Sequence, residues 1–170
     1  MQPWERTPDL TFDRILVLRD VLVRAREEAA KMFGPQVSQL RHGYGCTAAE
    51  HTMHAIMRLG GETSWLQVHR QGNRYSGFVG GVMFKVFRGH DDPEWIRLQR
   101  VEREISDLFA PKESDPTNGG WFWFFRVNQR PDGTVGGLDL LWCNTTEGVV
   151  DSWAVPMSDN VVPMTAKARK

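Results

Sequence analysis

Residues 121 to 143 read WFWFFRVNQRPDGTVGGLDLLWC, and this stretch predicts the class of the fold. It contains two apolar runs, Trp121 to Gln129 and Thr134 to Cys143. The residues between them, Arg130-Pro131-Asp132-Gly133, have the composition of a turn between antiparallel strands. The stretch therefore predicts a β-hairpin that is rich in large aromatic side chains.

The aromatic run predicts a strand that is apolar on both faces. Because side chains alternate along a strand, Trp121, Trp123 and Phe125 should face one side, and Phe122 and Phe124 the other. The second strand has the same character, with Leu138, Leu140 and Trp142 on one face and Leu141 and Cys143 on the other. The register across the turn stays open, since a slip of one residue exchanges the faces. If helices cover one face, the other needs a ligand pocket, a curled sheet, a subunit or a partner.

Further strands are predicted on both sides of this hairpin. Ser64 to Arg70 and Tyr75 to Arg88 are rich in Val, Phe, Trp and Tyr, and Gln71-Gly72-Asn73 is typical of a turn between them. Val149 to Val155 follows the turn Asn144 to Gly148. The sequence therefore predicts an antiparallel sheet of about five strands, joined by hairpins rather than crossovers.

Caps and apolar periodicity predict three helices. Each starts at a capping residue or proline and stops at glycine or proline, which gives residues 8 to 33, 47 to 60 and 92 to 110. The element order is then ααββαβββ, an α+β fold with the helices on one face of the sheet. We expect one domain over residues 1 to 163 and a frayed basic tail over residues 164 to 170.

Composition limits the classes of function. The chain has 170 residues, the size of a single hydrophobic core, and its formal net charge is zero, so no global field attracts nucleic acid. No apolar stretch is long enough for a membrane helix. Cys46 and Cys143 stand far apart and suit a reducing compartment, so we expect a cytoplasmic protein.

Two patterns carry the residue types of a metal or nucleophile site. His51 and His54 lie three residues apart near Cys46, but Arg58 shares their helical arc opposite the apolar side, which indicates a solvated stripe. His42 and Cys46 lie in a glycine-containing segment that matches no phosphate-binding or nucleophile motif. We therefore expect no metal, no cofactor and no catalytic residue at these positions.

The first functional hypothesis is a non-catalytic binding or regulatory protein, of adaptor or inhibitor type. It would present part of its aromatic sheet, rimmed by a basic hairpin, to another protein or to a second copy of itself, because Trp and Arg are the residue types that dominate interface energetics. The candidate interface residues are Trp121, Trp123, Phe125, Trp142, Arg70, Arg74 and Arg88.

Two alternatives stay open. The first is a small-molecule enzyme or carrier with a pocket between helices and a curved sheet, an arrangement whose element order resembles cone-shaped folds of the nuclear transport factor type. Asp139 or Asp151, with His69 or Tyr75, would supply its polar groups. The second alternative is single-stranded nucleic-acid binding by the aromatic sheet and its basic set, His69, Arg70, Arg74, Lys85 and Arg88.

Overall fold

The computed structural model describes residues 1–34, 41–71, 74–89, 120–144 and 148–158. This part of the chain forms three helices and a six-stranded sheet, which confirms the α+β class. The helices are α1 Pro3–Arg6, α2 Phe12–Phe33 and α3 Arg41–Glu62. The strands are β1 Leu66–Gln71, β2 Arg74–Val79, β3 Val82–Gly89, β4 Trp121–Gln129, β5 Val135–Asn144 and β6 Gly148–Val155.

Helix α2 begins four residues later than its sequence predicts. Its N-cap is Thr11, whose Oγ1 accepts a hydrogen bond from the Arg14 backbone N–H at 3.4 Å. The preceding residues turn instead, because Leu10 is buried in the core and its N–H donates to the Thr7 carbonyl at 2.8 Å. The predicted end is confirmed: Gly34 caps α2 with a positive φ of 53°, which favours glycine.

Helix α3 begins six residues earlier than predicted, at Arg41, so the predicted start at residue 47 is wrong and the glycine-containing segment over residues 41 to 46 is helical. Gly43 and Gly45 lie inside the helix, where they flank Tyr44. Tyr44 is fully buried against Ala29, Ala30 and Ala48, and this burial outweighs the low helix propensity of its neighbours.

The predicted strand Tyr75 to Arg88 is two strands, β2 and β3. Gly80 and Gly81 separate them with positive φ values of 57° and 75°, the conformation of a tight hairpin turn. The sheet therefore has six strands, in the spatial order β1-β2-β3-β4-β5-β6.

One strand pair departs from the expected hairpin topology. Strands β3 and β4 run parallel, with Phe84 opposite Trp123, whereas every other neighbouring pair is antiparallel. Parallel neighbours need a crossover connection, so the expectation of hairpins alone is wrong here. The helix predicted over residues 92 to 110, like the tail over residues 164 to 170, falls outside the described residues.

The register places the core on the helix side of the sheet. Trp123 pairs with Trp142 and Phe125 with Leu140, so the predicted alternation holds with these side chains on one face. They pack with Ile15, Leu18 and Leu22 of α2 and with Ile56 and Leu59 of α3.

Within the described ranges, no helix is long and apolar enough to cross a membrane.

Candidate functional site

The aromatic residues proposed as an interface lie mainly in the core. Trp123, Phe125 and Trp142 are 3%, 0% and 7% exposed on the helix side of the sheet. Trp121 is half-buried and stacks on Trp142, with ring centroids 5.2 Å apart. These side chains stabilise the folded chain and do not form an exposed surface.

The opposite face of the aromatic strand is buried as well. Its residues form a second apolar cluster of Met83, Phe122, Phe124, Leu141 and Cys143, each no more than 5% exposed. This burial occurs within the single chain. The structure therefore offers neither aromatic face of β4 as a broad surface for a partner.

The proposed basic residues lie on the first three strands. Arg70 is exposed on β1, opposite Tyr75 of β2. Arg74 pairs with Gln71, and Arg88 of β3 lies opposite Val127 of β4; the side chains of both arginines are outside the described part.

The two strand carboxylates are held by cationic or amide groups. Asp139 Oδ2 accepts hydrogen bonds from Arg126 Nε at 3.1 Å and from Asn128 Nδ2 at 2.7 Å. Asp151 Oδ2 accepts one from Arg6 Nη2 at 3.1 Å, and this bond is the main cause that lowers the pKa of Asp151. Both carboxylates are ion-paired on the sheet.

The polar residues proposed for a pocket do not meet in one site. By strand register, Asp139 and His69 lie on the face opposite the helices, whereas Asp151 and Tyr75 lie on the helix side. The ring of His69 contacts Phe78 edge-on, with centroids 5.2 Å apart. Of the four, only Tyr75 belongs to the polar cluster described below.

The histidine stripe lies on the outer side of α3. His51, His54 and Arg58 line a shallow cleft of about 280 Å³ together with Glu28 and Ala55. In the described ranges, no group of three or more His, Cys, Asp or Glu side chains could hold a metal ion. Cys46 is exposed, Cys143 is buried, and no disulfide joins them.

A polar cluster that sequence reasoning missed lies between the helices and the sheet. We call it the Arg26 cluster: Arg26 of α2, Tyr44 of α3, Tyr75 of β2 and Gln129 of β4. Arg26 is only 5% exposed, and Leu22, one turn before it, belongs to the main core. Tyr75 packs against the same core. The cluster thus sets one cation and three neutral polar groups beside apolar side chains.

Hydrogen bonds fix the side of the cluster near the β4–β5 turn. The Tyr44 hydroxyl donates to the Gly133 carbonyl at 3.1 Å and accepts a hydrogen bond from Gln129 Nε2. Gln129 Nε2 also donates to the Gly133 carbonyl at 2.7 Å. Two buried atoms of the cluster, Arg26 Nε and Gln129 Oε1, have no hydrogen-bond partner among the described residues.

Arg26 is a buried cation, and its pKa reflects that burial. Among the described residues no carboxylate pairs with it, and burial lowers the pKa of its guanidinium, a shift partly offset by Tyr44 and Tyr75. An arginine stays protonated in proteins at neutral pH. Burial also raises the pKa of Tyr75, against an opposing effect of Arg26, so this phenol is neutral and able to donate.

A second buried arginine on the same helix provides an internal comparison. Arg19 is 4% exposed, but its guanidinium contacts Asp20 Oδ1 at 2.7 Å and the Pro156 carbonyl at 2.8 Å. It therefore has both a charge partner and a backbone acceptor. A buried arginine on α2 can therefore have a carboxylate partner, so the lack of one at Arg26 among the described residues needs its own explanation.

A cleft of about 690 Å³ opens beside the Arg26 cluster. Its lining residues come from the end of α2 and from the β4–β5 turn: Glu27, Ala30, Lys31, Gly34, Pro131, Asp132 and Thr134. Ala30 lies one helical turn after Arg26, and Asp132 and Thr134 flank Gly133, which accepts the Tyr44 hydrogen bond. The cleft is therefore lined by chain neighbours of the cluster, along the end of α2 and the β4–β5 turn, and not by the four cluster residues themselves.

The sequence contains one signal for Arg26. Arg19, Leu22, Arg26 and Ala29 follow one another at three- and four-residue steps, so both arginines fall on the apolar stripe of α2. A charged residue at such a position is either paired in the interior or faces a ligand or solvent. Periodicity alone does not distinguish these outcomes.

The fold and the cluster define an α+β protein with a polar site between two long helices and a mixed six-stranded sheet. Comparison with protein-family models, with curated proteins and with solved structures finds no match for this chain.

Proposed function

We propose that this protein binds a small anionic molecule between its helices and its sheet, at the Arg26 cluster. The observation that carries the proposal is the buried guanidinium of Arg26, which has no carboxylate partner among the described residues and an Nε without an acceptor. A buried charge costs several kcal/mol unless it is paired and hydrogen-bonded, and a bound anion would supply both.

The same residues favour binding over catalysis. The Arg26 cluster offers a guanidinium, two phenols and an amide, and it contains no carboxylate, imidazole or thiol that could serve as a general base or nucleophile at neutral pH. Small-molecule sites commonly combine apolar walls with a few placed polar groups. We therefore propose a carrier or sensor of a small anion that acts in the cytoplasm, where cysteines stay reduced.

The test compares two arginines on one helix. Thermal melting of the wild type is measured in a chloride-free buffer while acetate, chloride, phosphate or sulfate is added in steps. We expect a saturable rise in Tm with at least one anion, absent in Arg26→Met and retained in Arg24→Met, because Arg24 is exposed on α2. Equal responses in both variants, or no saturable response, would contradict the proposal.

A second candidate function is protein binding along the edge strand β1. The observation that favours it is the position of β1 at one edge of the sheet, with Gln67, His69 and Arg70 exposed. Edge strands add a strand from another chain through backbone hydrogen bonds, and a second copy of this protein is the first partner to test. Light-scattering mass over a concentration series should then show a dimer that Val68→Pro weakens, whereas a monomer at all concentrations would exclude self-association.

A further inference from the structure

We infer that the anion held by the Arg26 cluster is a monocarboxylate with an apolar body; this inference rests on the proposed function and names its ligand class. The juxtaposition behind it is the buried guanidinium of Arg26, a neutral phenol donor and the apolar core, with an open cleft beside them. Each of these features limits the ligand in a different way.

The charge of the site selects a monoanion. Arg26 contributes one positive charge, and the other members of the cluster, Tyr44, Tyr75 and Gln129, are uncharged. One negative charge neutralises the site, whereas a phosphate or sulfate dianion would leave a net negative charge in a poorly solvated region, at a large cost. Monocarboxylates meet this condition across the physiological pH range.

The donors suit a flat head group. A guanidinium presents its N–H groups in one plane and binds the two oxygens of a carboxylate side by side. Among the described residues, Arg26 Nε has no acceptor, and no hydrogen bond to the Tyr75 hydroxyl contributes to the shift in its pKa. One carboxylate could therefore accept hydrogen bonds from Arg26 and from Tyr75.

The surroundings select an apolar body behind that head group. Leu22, Val127 and Val135 belong to the main core, and Tyr75 of the Arg26 cluster packs against that core. Ala30 and Pro131 are apolar residues that line the neighbouring cleft. A ligand that follows this path from cluster to cleft would bury hydrocarbon along its length.

The experiment is a titration calorimetry series with sodium acetate, butyrate and hexanoate, together with phosphate, sulfate and the neutral amide hexanamide. We expect affinity to rise about fourfold for each buried methylene. Hexanamide should bind at least tenfold more weakly than hexanoate, because it lacks the charge. Arg26→Met should abolish hexanoate binding, Tyr75→Phe should weaken it several-fold, and Arg24→Met should leave it unchanged.

The outcomes separate this inference from the proposed function. If phosphate or sulfate binds in an Arg26-dependent way and hexanoate does not, the ligand class is wrong while anion binding stands. If Arg26→Met changes the affinity for none of the anions, both the ligand class and anion binding at this site are wrong, and the guanidinium is solvated by buried water instead. If hexanoate binds Arg26→Met as tightly as the wild type, the acid binds elsewhere through its hydrocarbon chain and the inference is overturned.

Discussion

Arg19 and Arg26 lie on the same helix and are both buried, but they have different partners. Asp20 pairs with the charge of Arg19, and the Pro156 carbonyl, directly after β6, accepts a hydrogen bond from its guanidinium. Arg26 is accompanied instead by the phenols of Tyr44 and Tyr75, and Tyr44 in turn accepts a hydrogen bond from Gln129. Since neutral hydrogen-bond partners do not offset a buried charge fully, we expect Arg26 to limit stability when no anion is bound.

Tyr75 predicts a loss of stability at alkaline pH. Burial raises the pKa of its phenol above the ordinary value of 10.0, so the folded chain retains a proton that the unfolded chain releases. The neutral phenol contributes fully to the free energy of unfolding below pH 10. This contribution is lost as the pH rises further, by roughly 1 kcal/mol at about pH 10.7. Tyr75→Phe should lack this component. Urea unfolding of both proteins at pH 8 and in the alkaline range measures it, and parallel pH profiles would contradict the assignment.

At the scale of elements, we predict that substitutions on either face of β4 lower the free energy of unfolding equally. Phe122 and Phe125 point in opposite directions and both are fully buried, so each change to Ala should cost about 3 to 5 kcal/mol of the free energy of unfolding. Trp121→Ala should cost less, because Trp121 is half-buried. Thermal or denaturant unfolding checks this prediction. A Phe122→Ala protein that keeps its stability but changes its oligomeric mass would instead indicate an interface.

The β2–β3 hairpin depends on a glycine that makes room for a ring. A Cβ atom on Gly77 would lie 2.2 Å from the ring of Phe84, its cross-strand neighbour. Gly77→Ala should therefore lower the free energy of unfolding by about 1 to 3 kcal/mol. Gly61→Ala in α3 is the matched control, since its Cβ would meet open space, and it should raise stability by up to about 1 kcal/mol. Equal effects of the two changes on unfolding would show that contact with Phe84 does not matter.

At the scale of the whole molecule, the N-terminal ten residues tie the helix layer to the far edge of the sheet. Trp4 contacts Trp153 of β6 edge-on, and the Thr7 hydroxyl accepts a hydrogen bond from Trp123 Nε1 at 3.0 Å. Arg6 lies over the Trp142 ring and donates to Asp151. The segment therefore couples α1 to β4, β5 and β6.

The Arg6–Asp151 pair makes that coupling dependent on pH. The Arg6 hydrogen bond lowers the pKa of Asp151 below 3.8. The pair therefore contributes to the free energy of unfolding above that pH, and this contribution is lost as the pH falls through the folded pKa. The pair is partly exposed and should contribute no more than about 1 kcal/mol at neutral pH. A double-mutant cycle of Arg6→Met and Asp151→Asn should show this coupling at pH 7 and none in acid. A coupling that persists in acid would contradict it.

The sequence by itself determined the local elements of this protein. The alternation in WFWFFRVNQ places its side chains on two faces in any register, the turn at residues 130 to 133 joins β4 to β5, and Gly34 ends α2. The α+β class followed from these patterns. They are readable because periodicity, caps and turns depend on residues close together in the chain.

Only the tertiary structure decided the parallel pairing of β3 with β4, the burial of both aromatic faces within one chain, and the place of Arg26 among Tyr44, Tyr75 and Gln129. Each of these depends on contacts between residues far apart in sequence. The sequence pattern of an arginine on an apolar stripe is the same whether the side chain pairs with a carboxylate, as Arg19 does, or lies beside phenols, as Arg26 does. The other members of its cluster lie on α3, β2 and β4, and folding alone brings those elements together with α2.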